Sequence, residues 1–302
     1  MLHSTLIVNK PDYLEENFST CPEDRPLFIQ LAGNDPAILL QAAKRVQDKC
    51  DAVDINLGCP QGIAKKHYYG SYLLENFDLV KRIINTLAEN LTIPVTCKIR
   101  IFPEEERTLR LVKIIENAGC SLVTVHGRTK EQNKQKVGKC DWERIKKIKE
   151  TVKIPVFANG GIYNFQDVKD CMRYTGVDGV MSSEGLLENP RLFSEEIYDL
   201  DHMAQEYLDM CDKYGGKIEY IKPHLFKMLH SGFERRPEMR EELVNGKNME
   251  QFRRICGKIR EVRGDMKEEE KLGWYKRYMK EEEKLYYNDW RIGQKDESVK
   301  SV

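Results

Sequence analysis

Short apolar runs rich in β-branched residues recur along the first two thirds of the chain, and longer amphipathic segments separate them. The apolar runs read LFIQLAG from Leu27, AVDINLGC from Ala52, VTCKIRIF from Val95, LVTVHGRT from Leu122, VFANGGI from Val156 and GVMSSEG from Gly179. Between them, segments such as FDLVKRIINTLAEN and TLRLVKIIENAG place apolar residues three and four positions apart. The short runs predict buried parallel strands and the longer segments predict amphipathic helices, so the pattern indicates a series of βα units.

A series of βα units is compatible with two architectures, an open doubly wound sheet and a closed (β/α)8 barrel. Polar or reactive side chains follow nearly every predicted strand: Gln30, Asn56 with Cys59, Lys98 with Arg100, His126 with Arg128, Asn159, and Ser182 to Glu184. An open sheet gathers ligand groups at one switch point, whereas a barrel collects them from all strand ends around one mouth. We therefore predict an α/β fold of the TIM (β/α)8 barrel type.

The predicted strands are one short of a closed barrel. With MLHSTLIV at the start counted as a strand, the sequence contains seven. We therefore expect a TIM-type barrel that lacks its first βα unit, which would precede Met1. The alternative is a further strand inside residues 1–26, for instance in TLIV.

From about Glu195 the strand pattern stops and charged helical segments follow, such as AQEYLDMCDKY and MEQFRRICGKIREVR. We predict three parts: an incomplete barrel over residues 1–194, an all-helical domain over 195–263, and a tail over 264–302. The tail is KEEEK-rich with scattered Trp and Tyr residues, which is typical of a charged helix or a disordered segment.

Charge and composition narrow the class of protein. The 302 residues include 49 Lys and Arg and 49 Asp and Glu, so the formal net charge is zero and a globally basic nucleic-acid wrapper is excluded. No apolar run approaches the ~18 residues of a membrane span, and the opening residues lack the features of a signal or transit peptide. The nine cysteines form neither a CxxC pair nor a zinc-type cluster, which favours a reducing compartment and no metal site. We expect a cytoplasmic or nuclear protein without membrane or DNA partners.

Cys59 has the most reactive setting that the sequence predicts for a cysteine. It stands between Gly58 and Pro60 directly after a predicted strand, so its thiol would lie on a tight loop at the barrel mouth. A thiol in such a position can act as a nucleophile or a general acid. The other eight cysteines are expected to be small buried hydrophobic residues.

Five segments at predicted strand ends resemble the flavin-dependent tRNA-dihydrouridine synthases, in particular the eukaryotic type that acts on positions 16 and 17 of the tRNA D-loop. They read DINLGCPQGIAKKHYYGSYL, VTCKIRIF, TVHGRTKEQ, IPVFANGGI and GVMSSEGLLENPRLF, in the family's order. The resemblance runs from Met1 to about Phe193, and PHLFKMLH resembles the start of that family's helical RNA-binding domain. It implies FMN at the C-terminal mouth of the barrel, NADPH as reductant and tRNA as substrate.

The resemblance also implies which side chains contact FMN. Lys98 would place a positive charge near the flavin N1 and C2 carbonyl, Gln30 would hydrogen-bond a ring edge, and His126 would contact the ring or the ribityl chain. The last two strand ends would bind the phosphate with Asn159, Gly160, Gly161, Ser183 and Glu184. Many family members carry Gly-Arg in place of Ser183 and Glu184, although the eukaryotic subgroup also has glutamate, so this contact would rest on the backbone.

In the implied reaction, NADPH reduces FMN, hydride then passes to C6 of a uracil base, and Cys59 protonates C5 from the other face. The base must first leave its surroundings in the tRNA. The candidates for holding it are Asn56, Arg100 and Arg128. The candidates for tRNA phosphate contacts are Lys65, Lys66 and His67 beside the Cys59 loop, and Arg253, Arg254, Lys258, Arg260 and Arg263 in one predicted helix.

Two other hypotheses stay open at this point. One is an FMN barrel oxidoreductase that acts on a small molecule, and the other is a shortened, inactive isoform that only binds RNA through its helices. Because an absent βα unit would expose strand edges and apolar surface, we expect this chain to fold poorly or to hold FMN weakly. The sequence does not determine which uridines are reduced, whether NADPH or NADH is the reductant, or the oligomeric state. It also leaves open whether the short start is an isoform or an incomplete gene model.

Overall fold

The computed structural model describes residues 1–133, 136–195 and 199–263, so the predicted tail over 264–302 lies outside the described residues. In the described part, seven strands follow the sequence prediction: β1 Leu2–His3, β2 Phe28–Ala32, β3 Ala52–Leu57, β4 Val95–Arg100, β5 Leu122–His126, β6 Val156–Asn159 and β7 Gly179–Met181. Helices follow them in alternation: α1 Ser4–Asn9, α2 Tyr13–Asn17, α3 Pro36–Val46, α4 Gly62–Lys66, α5 Phe77–Asn90, α6 Glu105–Asn117, α7 Trp142–Thr151, α8 Phe165–Thr175 and α9 Glu184–Glu188. Short 3-10 turns lie at Gln47–Lys49 and Gly70–Glu75.

The strands form one parallel sheet in the order β1-β2-β3-β4-β5-β6-β7. Each strand pairs with its neighbour along the chain; for example, Asn56 of β3 lies opposite Lys98 of β4, and Arg100 of β4 lies opposite His126 of β5. A doubly wound sheet would reverse its strand order at a switch point. The α/β prediction is confirmed, and the unreversed order favours the barrel type over the doubly wound type.

The start of the chain differs from the sequence prediction in one respect. TLIV belongs to helix α1, and only Leu2–His3 of the opening segment is a strand. The alternative of a further strand in TLIV is therefore wrong. Ile7 of that helix is buried and α1 packs against α3, so its apolar residues cover a helix rather than joining the sheet. The expectation of a βα unit before Met1 stays a prediction.

Local sequence signals explain where the main helices begin. Asp35 caps α3, since its Oδ1 accepts hydrogen bonds from the backbone N–H groups of Ala37 (2.8 Å) and Ile38 (3.0 Å), and Pro36 occupies the first turn. Strand β3 is buried along its whole length, as expected for a parallel strand covered on both faces. These elements hold the carboxyl ends of β2 to β6 at one edge of the sheet.

The contacts divide the chain into two compact units. The first contains Met1–Gly161 and Lys169–Met181, and the second contains Ile162–Val168 and the residues from Ser182 onward. In the part of the second unit that the structure describes, five further helices follow α9: α10 Leu200–Tyr214, α11 Ile218–Met228, α12 His230–Arg235, α13 Pro237–Asn245 and α14 Met249–Arg263. They share a core that includes Leu208, Leu225, Leu243 and Phe252. The predicted domain boundary at residue 195 stays a prediction.

The described residues contain neither a candidate membrane span nor a candidate metal site. No helix there is long and apolar enough to cross a bilayer. No group of three or more His, Cys, Asp or Glu side chains there could hold a metal ion.

Candidate active site

The loop that carries Cys59 is held from both sides by hydrogen bonds. On one side, Asn56 Oδ1 accepts from the backbone N–H of Gly58 (3.2 Å) and of Cys59 (3.0 Å). On the other side, the carbonyl oxygen of Cys59 accepts from the N–H (3.1 Å) and the Oγ (3.0 Å) of Ser71. Cys59 is half-buried and its thiol is free. The structure therefore presents this thiol on a rigid loop just beyond the carboxyl end of β3.

Gly70 allows the chain to close over this loop. Its φ of +64° lies in the left-handed region, and a Cβ at this position would stand 2.6 Å from the carbonyl oxygen of Cys59 and 2.9 Å from its Cβ. Any larger residue would collide with backbone as well as adopt an unfavourable φ. Sequence reasoning did not single out Gly70, because the close approach depends on a contact eleven residues away.

A chain of partly to fully buried hydrogen bonds holds the side chain of Asn56. Asn56 Nδ2 donates to Gln30 Oε1 (2.9 Å), and Gln30 Nε2 donates to Asp54 Oδ2 (2.8 Å). The other oxygen of Asp54 accepts from Thr96 Oγ1 (2.7 Å). Burial raises the pKa of the Asp54 carboxyl, opposed by the hydrogen bonds from Gln30 and Thr96 and by the charge of Lys98. Gln30 and Asn56 thus connect the buried Asp54 carboxyl to the Cys59 loop.

Asp54 is a residue of the site that sequence reasoning missed. The signal was present, since a single acid interrupts the otherwise apolar strand AVDINL. A carboxyl group in a buried strand needs hydrogen-bond partners or a nearby cation, and the structure supplies both. The contacts of Gln30 and Asn56 do not test their predicted roles toward flavin and base, which stay predictions.

Lys98 and Arg100 bring positive charge to the end of β4. Burial, together with the charge of Arg100, lowers the pKa of Lys98 to about 8, against the opposing effect of Asp54. Burial, followed by the charge of Arg128, lowers the pKa of Arg100 to about 10. Among the described residues, the Lys98 ammonium has no hydrogen bond or ion pair. A cation in this situation is ready to bind an electron-rich group.

Arg100 uses its guanidinium to tie two loops together. Nε donates to the carbonyl oxygen of Gly58 (2.9 Å), and Nη1 donates to the carbonyl oxygens of Thr129 (2.8 Å) and Gln132 (3.2 Å). Arg100 therefore links the Cys59 loop to the loop after β5. Its predicted contact with the base stays a prediction.

His126 is neutral and contacts Arg128. Burial lowers the pKa of His126 well below its ordinary value, and the charges of Lys98, Arg100 and Arg128 act in the same direction. Arg128 Nη1 lies 3.3 Å from His126 Nε2. Because a guanidinium can only donate, Nε2 accepts and the ring proton lies on Nδ1. Arg128 is itself buried and its Nε donates to the carbonyl oxygen of Gly138 (3.0 Å).

The turn after β6 is shaped by close packing. A Cβ on Gly160, whose φ is +97°, would lie 2.9 Å from the His126 ring and 2.9 Å from Cys140 Sγ. Trp142 Nε1 donates to the carbonyl oxygen of Gly160 (3.1 Å), and Gly161 follows with a φ of +76°. Asn159 Nδ2 donates to the carbonyl oxygen of Met181 (2.8 Å). Gly160 therefore packs against the His126 ring.

Ser183 and Glu184 belong to the second unit. Ser183 precedes helix α9 and Glu184 begins it, and no side-chain hydrogen bond caps this helix. Their predicted role in phosphate binding stays a prediction.

The basic residues predicted to bind RNA in α14 are largely paired with carboxylates. Arg253 lies 2.6 Å from Asp209 and 2.6 Å from Asp212, and Lys258 Nζ lies 2.6 Å from Glu242. Arg254 lies 3.3 Å from Glu250 of its own helix. Arg260 is exposed, and the side chain of Arg263 lies outside the described residues. The paired carboxylates reduce the positive charge that this helix presents.

A cleft of about 170 Å³ adjoins the Cys59 loop and is lined by residues that include Ser71, Arg100, Arg107 and Lys130. Its cations are neutralised in part, since Glu75 pairs with Arg107 and with Lys130 (2.8 Å). The hydrogen bonds from these two cations hold the pKa of Glu75 below its ordinary value. The cleft is therefore mixed in charge, in contrast to the surroundings of Lys98.

Asn56→Ala is expected to destabilise the protein by about 1–3 kcal/mol, because it leaves the N–H groups of Gly58 and Cys59 without their acceptor. Denaturant unfolding measures the change. The matched control is Asn85→Ala on the exposed face of α5, where the amide donates to Glu89 of the same helix; a change there within about 0.5 kcal/mol is expected. Equal effects at both positions would contradict a structural role of Asn56.

Tyr69→Phe is expected to raise the free energy of unfolding by about 1 kcal/mol. Tyr69 is 1% exposed, and among the described residues its buried hydroxyl has no hydrogen-bond partner. The control is Tyr72→Phe in the same cluster, which removes the bond from the Tyr72 hydroxyl to the carbonyl oxygen of Pro60 (3.1 Å) and should destabilise the protein. Thermal melts of both variants measure the two changes in stability. A lower melting temperature for Tyr69→Phe than for the wild type would contradict the expectation.

Comparison with known families matches residues 1–283 to the family described as Dihydrouridine synthase (Dus). A protein of Mus musculus named tRNA-dihydrouridine(16/17) synthase [NAD(P)(+)]-like is 48% identical over 252 residues, which cover 83% of this chain and 53% of the relative. Proteins named tRNA-dihydrouridine(16/17) synthase [NAD(P)(+)] are 46% identical in Schizosaccharomyces pombe, covering 82% of this chain and 66% of the relative, and 44% identical in Saccharomyces cerevisiae, covering 81% and 62%. The chain thus spans between about half and two thirds of the length of these relatives.

The motifs around Cys59, Lys98 and His126 lie within the matched residues, and the structure gathers all three at one edge of a parallel sheet. The chain therefore belongs to the dihydrouridine synthase family.

Proposed function

We propose that this chain reduces uridine to 5,6-dihydrouridine in the D-loop of tRNA, at positions 16 and 17, with NADPH as reductant and FMN as cofactor. The names of the relatives from mouse and two yeasts support the substrate and the nicotinamide. The observation that carries the chemistry is the free, half-buried Cys59 on a hydrogen-bonded loop beside the cations of β4.

The residues present fit a flavin. The Lys98 ammonium has no polar partner in the described part of the chain, and burial together with Arg100 lowers its pKa to about 8. Negative charge on the pyrimidine edge of a flavin would compensate this cation. We propose that Lys98 and Gln30 face the ring, that His126 contacts the ring or the ribityl chain, and that Asn159, Gly160, Gly161, Ser183 and Glu184 serve the phosphate.

FMN, when bound, supplies a hydride carrier between the nicotinamide and the base. The protein's own residues account for the remaining chemistry. Asn56 and Ser71 hold the Cys59 loop, so that the thiol can give its proton to C5 of the uracil ring as C6 receives a hydride. The net reaction consumes uridine, NADPH and one proton and yields dihydrouridine and NADP⁺. The proton that the Cys59 thiol gives up is restored from water.

The proposed contacts of the extruded base are Asn56, Arg100 and Arg128. The proposed RNA-binding part comprises helices α10 to α14. The unreversed order of the parallel strands supports a TIM-type barrel as the scaffold. We place this activity in the cytoplasm or the nucleus.

The test is the full chain with FMN, NADPH and an unmodified tRNA transcript, followed by mass spectrometry of the digested nucleosides. A gain of two hydrogens at uridines 16 and 17 is expected. Transcripts with cytidine at both positions should gain none. NADPH oxidation driven by a small enone or orotate-like compound, without any dihydrouridine in tRNA, would replace the proposal with a small-molecule oxidoreductase.

A further inference from the structure

Tyr68 adopts a backbone conformation that is unfavourable for its side chain. Its φ is +51°, and it is the single non-glycine residue with a positive φ in the described part of the chain. For an aromatic L-residue this left-handed conformation costs conformational energy, and such strained positions concentrate at functional sites. The conformation of Tyr68 therefore calls for an explanation beyond chain connection.

Two neighbouring tyrosines at this left-handed turn differ sharply in burial. The N–H of Tyr69 donates to the carbonyl oxygen of Ala64 (3.0 Å), and the Tyr69 ring is buried with Ala32 and Ala64. Tyr68, one residue earlier, leaves 41% of its surface exposed. The backbone strain thus accompanies an aromatic ring that is presented to solvent.

The segment around Tyr68 carries two lysines and no acid of its own. Lys65 and Lys66 end helix α4 and are exposed, and neither forms an ion pair with a described residue. The segment from residue 58 to residue 74 contains no Asp or Glu, and the acid that follows it, Glu75, already pairs with Arg107 and Lys130. A cationic surface with an exposed aromatic ring suits a polyanion that has flat rings of its own.

This surface lies beside the reactive thiol. Gly70 touches the backbone of Cys59, and Ser71 hydrogen-bonds it. Tyr68 is two residues from Gly70, so their Cα atoms lie within ~7.6 Å of each other. When an RNA strand places one base at Cys59, the neighbouring nucleotide of that strand would therefore lie near Tyr68.

We propose that Tyr68 stacks on the nucleobase adjacent to the reacting uridine, while Lys65 and Lys66 contact the flanking phosphates. This inference rests on the proposed function and names its partner as a single-stranded RNA segment. Unpaired RNA bases are commonly held by stacking on aromatic side chains, and lysines contribute by neutralising phosphates. The ring takes no part in the chemistry, so Tyr68 is a positioning residue.

The test compares Tyr68→Gly, Tyr68→Trp and Tyr174→Ala in the full chain. Glycine accepts the left-handed backbone but removes the ring, and tryptophan keeps an aromatic face. Tyr174 is also 41% exposed and lies in the first unit, but it is at the carboxyl end of α8, on the segment that leads to the amino end of β7.

Binding of an unmodified tRNA transcript is measured by fluorescence anisotropy, together with dihydrouridine formation and the melting temperature. Tyr68→Gly is expected to raise the Kd about 10-fold or more without lowering the melting temperature. The Tyr68→Trp variant should bind the transcript about as tightly as the wild type. The Kd of Tyr174→Ala should equal the wild-type Kd. Changing both Lys65 and Lys66 to Ala should reduce the slope of log Kd against log salt by about 1.4.

The outcomes separate this inference from the proposed function. If the wild type binds and reduces tRNA but Tyr68→Gly does so equally well, the stacking role is overturned and the function stands. If the wild type binds tRNA but forms no dihydrouridine, the function fails, and the Kd values of the variants still decide the role of Tyr68. A wild type that does not bind tRNA would overturn both.

Discussion

Cys59→Ala is expected to lower the rate of dihydrouridine formation about 100- to 10,000-fold, the range usually lost with a general acid. The loop should keep its shape, because Asn56 and Ser71 bond the backbone of Cys59 and not its thiol. Binding of tRNA and oxidation of NADPH without tRNA should therefore persist. Product formation is measured by nucleoside mass spectrometry under single-turnover conditions.

Cys21→Ala is the matched control for Cys59→Ala. Cys21 is also free and partly exposed, but it lies in the segment that leads into the amino end of β2. Its replacement should leave dihydrouridine formation, tRNA binding and NADPH oxidation unchanged. Full product formation by Cys59→Ala would remove Cys59 from the mechanism, and an equal loss of tRNA binding would indicate a structural role.

Lys98→Met is expected to stabilise the flavin-free protein at pH 7 while it weakens flavin binding. Burial lowers the pKa of Lys98 from its ordinary 10.5 to about 8, and a difference of this size corresponds to a penalty of up to about 3 kcal/mol. Methionine has a similar length and carries no charge, so it removes the penalty. Without the cation, the flavin loses a group that compensates its negative charge.

The stability difference between Lys98→Met and the wild type should depend on pH in a defined direction. Below pH 8 both the folded and the unfolded wild type hold the Lys98 proton, and the full penalty applies. Between pH 8 and 10.5 the unfolded state binds more protons than the folded state, so wild-type stability rises relative to the variant. The difference should therefore shrink across this range. Denaturant unfolding at several pH values measures it.

Lys130→Met provides the comparison for Lys98→Met. Lys130 also lies near the carboxyl end of the strands, but it is partly exposed and pairs with Glu75 at 2.8 Å. Its replacement should not raise the stability, since a paired surface cation carries little burial penalty. Flavin retained after desalting is read from the visible absorbance of each variant. Destabilisation by Lys98→Met, or a difference that does not vary with pH, would contradict the interpretation.

Local periodicity was sufficient to predict the strands and the main helices. The run AVDINLGC became β3, and Asp35 with Pro36 marks the start of α3. TLIV was harder, because three apolar residues in a row after Thr5 suit a buried strand or a buried helix equally well. Only its packing against α3 decided for the helix.

The position of a reactive side chain was predictable wherever it stood at a strand end, as with Cys59, Lys98 and His126; the roles of these residues stay predictions. The residues that support these side chains were not predictable in this way. Asp54, Thr96 and Gly70 act through partners that are distant in the sequence. In α14, neighbours along the chain suggested a basic surface, whereas folding places Asp209 and Asp212 against Arg253.

The sequence by itself determined the succession of βα units, the polar strand ends and the family of this protein, since each depends on residue types at short spacing. Only the tertiary structure decided the protonation of His126, the depressed pKa of Lys98 and the exposure of Tyr68 beside a buried Tyr69. The physical reason is that burial and Coulomb interactions depend on distances through space, which parallel strands set between residues far apart in the chain.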